Sequence, residues 1–342
     1  MPYHIAINGY GRIGRCVLRA FYEARGAAGD YTDLKIVAIN DLADIKTLAH
    51  LTRYDSTHGR FPGSVEIEDS ALVVDSDVIK VSQVAELDRL PWKEMGVDLV
   101  MECSGAFTNR AAAEQHLHRG AAKVLFSQPA ESDVDATVVY GVNHQMLTPD
   151  ASIVSNASCT TNCIVPVIKV LDDELGIESA VLTTIHSAMN DQPVIDSYHH
   201  NDLRKTRSAM QSIIPVDTQL ARGIERILPG LSGLLQAQAI RVPTVNVSVM
   251  DIAVSVKSAT DASQVNAAIK AASQNLPANV LGFTEEPLAS CDFNHDLRSA
   301  IVDLNQTRVA GSNLVKLLIW FDNEWAYANR MLDVARHMHA IG

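Results

Sequence analysis

Short apolar runs alternate with helical segments in the first half of the chain. The apolar runs predict strands at 3–7, 35–40, 97–102 and 123–127. Between these runs, apolar side chains return at the three- and four-residue steps of helices that bury one face. A hairpin-like pair of strands is predicted at 71–74 and 78–81. Strands that alternate with helices are typical of an α/β fold with a doubly wound parallel sheet.

From about residue 158 the pattern changes to long strands rich in Val, Ile and Thr. These strands are predicted at 179–186, 237–242, 247–257 and 314–321. Helices such as 260–274 separate them, which favours an α+β domain with a mainly antiparallel sheet. A last helix, predicted at 324–339, has the length needed to return to the first domain. The expected division is therefore 1–157, 158–322 and 323–342.

A glycine pattern follows the first predicted strand and opens a helix. The segment Asn8-Gly9-Tyr10-Gly11-Arg12-Ile13-Gly14 fits G-x-G-x-x-G, which allows a tight turn and lets the backbone approach a pyrophosphate. The pattern alone is weak, and a purely structural turn is the alternative. It gains weight because the second strand ends at Asp41, an acceptor for a ribose hydroxyl. This combination predicts a Rossmann-type domain that binds NAD rather than NADP.

Two further features belong to the predicted cofactor site. The polar segment 26–33 is interpreted as a loop insertion that explains the long spacing between the glycines and Asp41. The turn 103–106 follows the strand at 97–102, so Ser104 is a candidate cofactor contact. Ser127, at the end of the next strand, is another.

Composition narrows the class of protein. The 342 residues carry a formal net charge of −12, which disfavours nucleic acid as a partner because nonspecific binding to phosphates depends on positive charge. Arg12, Arg15 and Arg19 interrupt the only early apolar region, so we expect no signal peptide and no membrane segment. Five cysteines at irregular spacing favour a reducing compartment. We therefore expect a cytoplasmic enzyme.

A cysteine and a histidine supply candidate chemistry in the second half. Cys159 lies where an apolar strand gives way to a helix, and amides at a helix start favour a thiolate over a thiol. Burial as an ordinary core cysteine is the alternative. His186 ends the strand that follows this helix, so a short connection can bring the two side chains together as an activated nucleophile. Cys163, one turn after Cys159, is interpreted as a packed residue, and the spacing of the cysteines does not suggest zinc or another metal.

Several motifs in the same order resemble those of the glyceraldehyde-3-phosphate dehydrogenase family over nearly the whole chain. They are Ile7-Asn8-Gly9-Tyr10-Gly11-Arg12-Ile13-Gly14-Arg15, Tyr54-Asp55-Ser56-Thr57-His58-Gly59, Ser155 to Cys163, Arg241-Val242-Pro243-Thr244-Val245-Asn246-Val247-Ser248 and Asp322-Asn323-Glu324-Trp325. The resemblance implies that Cys159 is the nucleophile and His186 the base. It also implies a homotetramer.

The same resemblance assigns binding roles. It implies that Arg12, Ile13 and Asp41 lie at the adenosine and pyrophosphate end of NAD, and that Asn323 holds the nicotinamide carboxamide. A phosphorylated aldose is the implied substrate. The residues expected to hold its phosphate and hydroxyls are Ser158, Thr160, Lys205, Thr218, Gln219 and Arg241.

Three departures from the family's commonest pattern bear on the substrate. Ala188-Met189 replaces a Tyr-Thr pair, Gln219 replaces a glycine, and Lys205 replaces an arginine whose fork would be bidentate. The segments 185–189 and 212–218 look like those of the erythrose-4-phosphate dehydrogenases, a sister family whose acyl-enzyme is released by water. We therefore expect NAD-dependent oxidation of D-erythrose 4-phosphate to 4-phosphoerythronate, a step of pyridoxal 5'-phosphate biosynthesis.

Three alternatives stay open at this level. A phosphorylating glyceraldehyde-3-phosphate dehydrogenase would require inorganic phosphate for NAD reduction. A cysteine hydrolase or acyltransferase would use Cys159 and His186, but it gives no reason for the glycine turn and Asp41. A regulatory protein that binds a dinucleotide would leave Cys159 no more reactive than a free thiol.

Overall fold

The computed structural model describes residues 2–28, 30–199 and 202–342 of the chain. These residues form two compact units: one runs to Ser158 and includes Tyr327–Gly342, and the other is Cys159–Ala326. The functional boundaries drawn from the sequence, 1–157, 158–322 and 323–342, stay a prediction, since compactness does not show what each part does. No helix in the described ranges has both the length and the apolar character that crossing a bilayer requires.

The first unit is built from short strands and helices in alternation. Its strands are β1 (Tyr3–Asn8), β2 (Leu34–Asn40), β3 (Tyr54–Asp55), β4 (Gly59–Arg60), β5 (Val65–Glu68), β6 (Ala71–Val74), β7 (Asp77–Ser82), β8 (Leu99–Glu102), β9 (Lys123–Phe126), β10 (Ala136–Thr137) and β11 (Ile153–Ser155). Its first helices are α1 (Arg12–Ala28), α2 (Ile45–Arg53), α3 (Trp92–Met95) and α4 (Arg110–His118). Single 3-10 turns lie at Leu87–Arg89 and His144–Met146.

A nine-stranded sheet forms the core of this unit, as far as the described residues show. The strand order is β10-β11-β9-β8-β1-β2-β7-β6-β5. Pairing is parallel from β10 to β7 and antiparallel from β7 to β5. The inner strand β8 is buried along its whole length, as expected for a sheet covered on both faces. The predicted doubly wound parallel sheet is therefore confirmed.

One local prediction for this unit needs correction, and another is confirmed. Residues 26–33 do not form one loop insertion, because α1 continues to Ala28 and β2 begins at Leu34. Most of the long spacing between the glycines and Asp41 therefore comes from a 17-residue helix. The predicted hairpin is present as β6 and β7, but it is preceded by β5, whose alternating glutamates hid its strand character.

The second unit carries an eight-stranded sheet within its described residues. Its strands are β12 (Ile177–His186), β13 (Ile214–Val216), β14 (Leu235–Arg241), β15 (Ser248–Val256), β16 (Leu281–Thr284), β17 (Ala300–Asp303), β18 (Arg308–Ala310) and β19 (Leu314–Phe321). Its helices are α5 (Cys159–Leu175), α6 (Leu220–Ile227) and α7 (Ala262–Asn275). Single 3-10 turns lie at Arg204–Thr206, Pro229–Leu231, Ser290–Phe293 and Leu304–Gln306.

This sheet is mainly antiparallel, as predicted, with two exceptions. Its main path is β13-β14-β12-β15-β19-β17-β16, and β18 pairs with β19. The pairs β12–β14 and β16–β17 are parallel. In the first of these pairs, His186 and Arg241 are partners in register at the carboxyl ends of their strands. Parallel pairing thus places a histidine beside an arginine at one edge of the sheet.

The last helix, α8 (Trp325–Ile341), contributes its residues from Tyr327 onward to the first unit. Tyr327 donates a hydrogen bond of 2.8 Å to the carbonyl oxygen of Ala157, and the buried Tyr31 donates one of 2.8 Å to Asp333. Asp333 also forms an ion pair with Arg330, in which both side chains are buried. These polar contacts fix the helix within its unit.

An ion pair joins the start of α1 to the β3–β4 hairpin. Arg12 contacts both carboxylate oxygens of Asp55, at 2.5 and 3.3 Å, and the amides of Thr57 and His58 donate to the same carboxylate. Burial alone would raise the pKa of Asp55, but the hydrogen bonds from Arg12, His58 and Thr57 bring this pKa well below its usual range. Folding therefore favours the ionised form of Asp55.

We predict that Asp55→Asn lowers the free energy of unfolding by about 2 kcal/mol at pH 7, because three charge-assisted donors lose their anion. The carboxylate of the folded state has the lower pKa, so its contribution is complete above the unfolded value near 3.8 and is lost as pH falls below it. Urea unfolding followed by circular dichroism should show a difference between wild type and variant at pH 7 that shrinks toward pH 3. The exposed Asp69 provides the control, since Asp69→Asn should change stability by less than about 0.5 kcal/mol. A constant Asp55 effect across this pH range would contradict the assignment.

Candidate active site

A cleft of about 390 Å³ opens in the first unit beside the carboxyl ends of β1, β2 and β8. Ligands of open α/β sheets bind at this edge. Four predicted cofactor residues, Gly9, Gly11, Asp41 and Ser104, line the cleft. Leu42, Val84, Leu87 and Phe107 give it apolar walls. An apolar slot with a few polar groups suits a nucleoside.

The glycine turn leaves room where a diphosphate would approach. Gly9 has a φ of +87°, and a Cβ placed there would lie 2.4 Å from the backbone of Ser104. A Cβ on Gly14 would lie 2.3 Å from the carbonyl oxygen of Gly9. Gly11 lines the cleft, yet a Cβ at this position would meet no atom within 4 Å. Gly9 and Gly14 therefore allow close packing of the backbone. The open space beside Gly11 leaves the start of α1 accessible, and the amides there favour anions. These residues fit the phosphates of NAD.

Asp41 connects the glycine turn to the end of β2. One of its carboxylate oxygens accepts a hydrogen bond of 2.7 Å from the amide of Tyr10, and the other accepts one of 2.9 Å from the amide of Ala43. Its side chain still borders the cleft. The sequence predicted an acceptor here, but not that the same carboxylate also holds the turn in place.

Other predicted cofactor residues lie next to the cleft rather than along it. The guanidinium of Arg12 contacts Asp55, and Ile13 and Gly14 continue α1. Ser127 forms a hydrogen bond with the buried thiol of Cys103, whose pKa is raised by burial to about 12 and lowered only partly by this bond. Whether these side chains contact the cofactor stays a prediction.

Cys159 and His186 lie close together in the second unit. Helix α5 begins at Cys159, and the chain reverses at Gly176, which has a φ of +68°, directly into β12. His186 ends β12, so the reversal returns it to the start of the helix. The distance between Cys159 Sγ and His186 Nε2 is 3.7 Å. The short connection predicted from the sequence therefore brings the thiol and the imidazole into contact.

The tautomer of His186 follows from its second nitrogen. Its Nδ1 lies 2.8 Å from the carbonyl oxygen of Ser187, and a carbonyl oxygen can only accept. Nδ1 therefore carries the hydrogen in the neutral ring, and the lone pair of Nε2 faces the thiol. This is the arrangement that a general base needs.

The pKa values of the pair differ from the sequence-based expectation. The amides of Thr160 and Cys159 lower the pKa of the Cys159 thiol, as predicted, but burial outweighs them and raises it to about 12. Burial also lowers the pKa of His186, despite the hydrogen bond to Ser187, and Arg241 adds to this decrease. The prediction of a resting thiolate was therefore wrong, because it considered the helix start and not the desolvation. Both shifts favour the neutral forms of the thiol and the imidazole.

A carboxylate that the sequence analysis missed bridges two predicted phosphate ligands. Asp191 contacts Arg241 Nη1 at 2.6 Å and Lys205 Nζ at 3.1 Å. Burial alone would raise the pKa of Asp191, but the contacts with Arg241 and Lys205 lower it. Arg241 is buried and is the register partner of His186, so the bridge lies near the imidazole. No motif in the sequence marks Asp191, because its partners are brought to it by the tertiary structure.

Asn323 is held by two buried hydroxyls in the same unit. Ser187 and Ser248 donate to its Oδ1 at 3.1 and 2.8 Å, and the amide of Ser187 donates to Ser248 Oγ. The two hydrogen bonds to Oδ1 fix the orientation of the Asn323 carboxamide, and Nδ2 points away from the two hydroxyls. The carbonyl oxygen of Ser187 also accepts the Nδ1 hydrogen of His186, so Ser187 connects His186 to Asn323.

The remaining predicted substrate residues lie at or beside helix starts. Ser158 directly precedes Cys159, and Thr160 follows it in α5. Thr218 and Gln219 precede α6, where Thr218 Oγ1 accepts a hydrogen bond of 3.2 Å from the amide of Leu220. Cys163 is completely buried, and burial raises its pKa well above the ordinary value.

Family comparison covers both units. The profile of the glyceraldehyde 3-phosphate dehydrogenase NAD binding domain matches residues 3–110, and the profile of the C-terminal domain of the same family matches residues 158–323. Together they match well over half of the chain. The first match identifies NAD as the cofactor, and the second identifies the catalytic domain. The chain therefore belongs to the glyceraldehyde 3-phosphate dehydrogenase family, which acts on small phosphorylated aldehydes, and it is an NAD-dependent oxidoreductase that acts on an aldehyde group.

Proposed function

We propose that this enzyme oxidises D-erythrose 4-phosphate to 4-phosphoerythronate and releases the product with water rather than with inorganic phosphate. One observation carries this choice: Met189 and Gln219 stand where phosphorylating members of the family supply a hydroxyl and an open glycine backbone. The Met189 side chain has no hydrogen to donate, and the Gln219 side chain occupies the space that a glycine would leave open. The reaction would serve pyridoxal 5'-phosphate biosynthesis. Phosphorylating oxidation of glyceraldehyde 3-phosphate is the second candidate, because the family match is common to both.

The first step is addition of Cys159 to the aldehyde. The neutral pair at 3.7 Å supports transfer of the thiol proton to His186 Nε2 as the carbon–sulfur bond forms. The amides of Cys159 and Thr160 then stabilise negative charge at the helix start. Protonation of the oxyanion by His186 gives a thiohemiacetal.

The second step converts the thiohemiacetal into a thioester. His186 removes the hydroxyl proton while a hydride leaves the same carbon. Bound NAD supplies the acceptor for this hydride. We assign the adenosine and pyrophosphate end to Gly9, Gly11 and Asp41 of the cleft, with Arg12, Ile13, Gly14, Ser104 and Ser127 beside them. Ser187 and Ser248 orient Asn323 through its Oδ1, so its nitrogen would be available to hold the nicotinamide carboxamide.

The third step is hydrolysis of the thioester. His186 first releases to solvent the proton that it took in the second step. It then takes a proton from water as the oxygen attacks and gives that proton to the sulfur as the carbon–sulfur bond breaks, which leaves the Cys159 thiol and a carboxylic acid that ionises in water. A buried imidazole with a lowered pKa is neutral at pH 7 and available for this second proton transfer. Inorganic phosphate is the less favoured acceptor in this proposal, because Met189 removes a hydroxyl donor and the Gln219 side chain fills the space of a glycine.

Substrate phosphate is assigned to Arg241 and Lys205. Asp191 contacts both cations and holds them together. A substrate phosphate is a stronger acceptor than a carboxylate and would replace Asp191 as their partner. Ser158, Thr160, Thr218 and Gln219 are the proposed hydrogen-bonding groups for the remaining oxygens. Asp191 therefore keeps the cations in place before the substrate arrives.

A cytoplasmic homotetramer completes the proposal. The family is typically tetrameric, and the second unit exposes several large apolar side chains between residues 189 and 213, which supports burial against other copies. They include Val194, Ile195, Tyr198, Leu203 and Ile213. All five cysteines are free thiols, which suits a reducing compartment. Nucleic acid and membrane are not proposed as partners.

NADH formation tests the substrate assignment. We predict fast turnover of D-erythrose 4-phosphate at a rate that inorganic phosphate does not change, because water accepts the acyl group. D-glyceraldehyde 3-phosphate should be the poorer substrate. Cys159→Ala should reduce the rate by about a thousandfold or more, since no thiohemiacetal forms. Preference for the three-carbon sugar with a phosphate requirement would favour the glycolytic alternative.

The pH dependence of kcat/KM tests the base. His186 must be neutral to accept the thiol proton, and its pKa is lowered from 6.5, so the rate should be lost only as pH falls below 6.5. His186→Gln should remove this acid limb and reduce kcat/KM by about a hundredfold to ten-thousandfold. An acid limb with its midpoint above pH 6.5 would oppose the assignment.

Two substitutions test why water is the acceptor. We predict that Met189→Thr combined with Gln219→Gly makes NADH formation respond to inorganic phosphate, by about tenfold at saturation, because a hydroxyl and an open backbone are restored. Met210→Thr with Gln211→Gly, an exposed Met-Gln pair in the same unit, is the matched control and should show no response. Equal behaviour of the two double variants would remove the basis for the proposal.

A further inference from the structure

Four polar side chains form a hydrogen-bonded ladder across the edge of the first sheet. Glu102, Asn8, Asn40 and Ser82 end the adjacent strands β8, β1, β2 and β7, and each is in register with the next. Asn8 donates to Glu102 at 2.6 Å, Asn40 to Asn8 at 2.8 Å, and Ser82 to Asn40 at 2.9 Å. We call this set the polar ladder. Asn8 and Asn40 also line the cleft.

The ladder has a fixed direction. The amide of Val84 donates to Asn40 Oδ1, and Asn40 Nδ2 donates to the carbonyl oxygen of Val84, both at 2.9 Å. This backbone contact sets the orientation of the Asn40 amide and therefore that of Asn8. Every donor in the ladder consequently points toward Glu102.

Glu102 accepts further hydrogen bonds on its other side. The amide and the hydroxyl of Ser104 donate to Oε1 at 2.8 and 2.5 Å, and His116 Nε2 lies 3.1 Å from Oε2. Trp92 donates to His116 Nδ1 at 3.0 Å, and an indole nitrogen can only donate. His116 is therefore the neutral tautomer with its hydrogen on Nε2. Four donors therefore surround a carboxyl group that is completely buried.

The consequence reaches the cleft through Ser104. Its hydroxyl hydrogen is directed to Glu102, and its oxygen accepts a hydrogen bond of 3.2 Å from the amide of Ala106. A hydroxyl has one donor and two acceptor positions, so only an acceptor remains for a ligand. Asp41, on the same cleft, is also an acceptor. This wall of the cleft therefore offers hydrogen-bond acceptors.

We propose that the polar ladder makes Glu102 a positioning residue for cofactor selection: by fixing Ser104 as an acceptor, it favours a hydroxyl or amino group of the cofactor and disfavours a phosphate at this wall. The inference rests on the proposed placement of NAD in the cleft. Discrimination between NAD and its 2'-phosphorylated form is thus shared between Asp41 and a residue that touches neither cofactor.

Isothermal titration calorimetry with NAD and with NADP, without any aldehyde, tests this inference. Glu102→Gln keeps the shape of the side chain but replaces one acceptor oxygen by an amide donor. This donor would face at least one of the four donors that surround residue 102, so Ser104 would lose its partner or move. We expect the Kd for NAD to rise by about tenfold or more and the preference for NAD over NADP to shrink. An NAD affinity within twofold of wild type and an unchanged preference would overturn the proposal.

Matched variants separate positioning from general destabilisation. Asp333→Asn makes the same chemical change at another buried carboxylate of the same unit, away from the cleft-lining residues, and should lower the melting temperature without changing either Kd. If Glu102→Gln does not fold, Ser104→Ala removes the acceptor directly and should weaken NAD about tenfold while sparing NADP. Equal NAD binding by Ser104→Ala and wild type would then contradict the proposal. Asp41→Asn tests the cleft itself: no effect of this variant on NAD would refute the cofactor placement rather than the ladder alone.

Discussion

The hydrogen bond between His186 Nδ1 and the carbonyl oxygen of Ser187 is the contact on which the chemistry of the second unit depends. It places the ring hydrogen on Nδ1 and leaves the Nε2 lone pair for the thiol of Cys159. Ser187 in turn holds Asn323 through its hydroxyl and Ser248 through its amide. Ser187 therefore orients both the imidazole of His186 and the carboxamide of Asn323, and a small shift of its backbone would disturb both.

Parallel strand ends explain where the polar residues gather in each unit. In the first unit, β8, β1, β2 and β7 finish side by side, so their last residues form the polar ladder. In the second, the parallel pair β12–β14 puts His186 beside Arg241 within an otherwise mainly antiparallel sheet. Carboxyl ends of parallel strands meet at one edge, and there side chains from distant parts of the sequence can interact.

The sequence predicted the secondary-structure elements and the position of Cys159 better than it predicted the burial and the contacts of individual side chains. The glycine turn, the start of α5 at Cys159 and the return of His186 follow local rules for turns and helices, and the structure has all three. The thiol's pKa could not be predicted, because burial depends on the packed fold and outweighs the helix amides. Asp191 and the Glu102–His116 contact were missed for a similar reason: neither fits a motif, and each acquires its partners only through tertiary structure.

The fate of the acyl group is the central claim, and ³¹P nuclear magnetic resonance observes it directly. The enzyme would convert D-erythrose 4-phosphate and NAD in the presence of excess inorganic phosphate while the phosphorus signals are recorded. The account predicts a single new phosphomonoester signal, that of 4-phosphoerythronate, and no consumption of inorganic phosphate. An acyl phosphate signal that grows as inorganic phosphate falls in equal amount would contradict it.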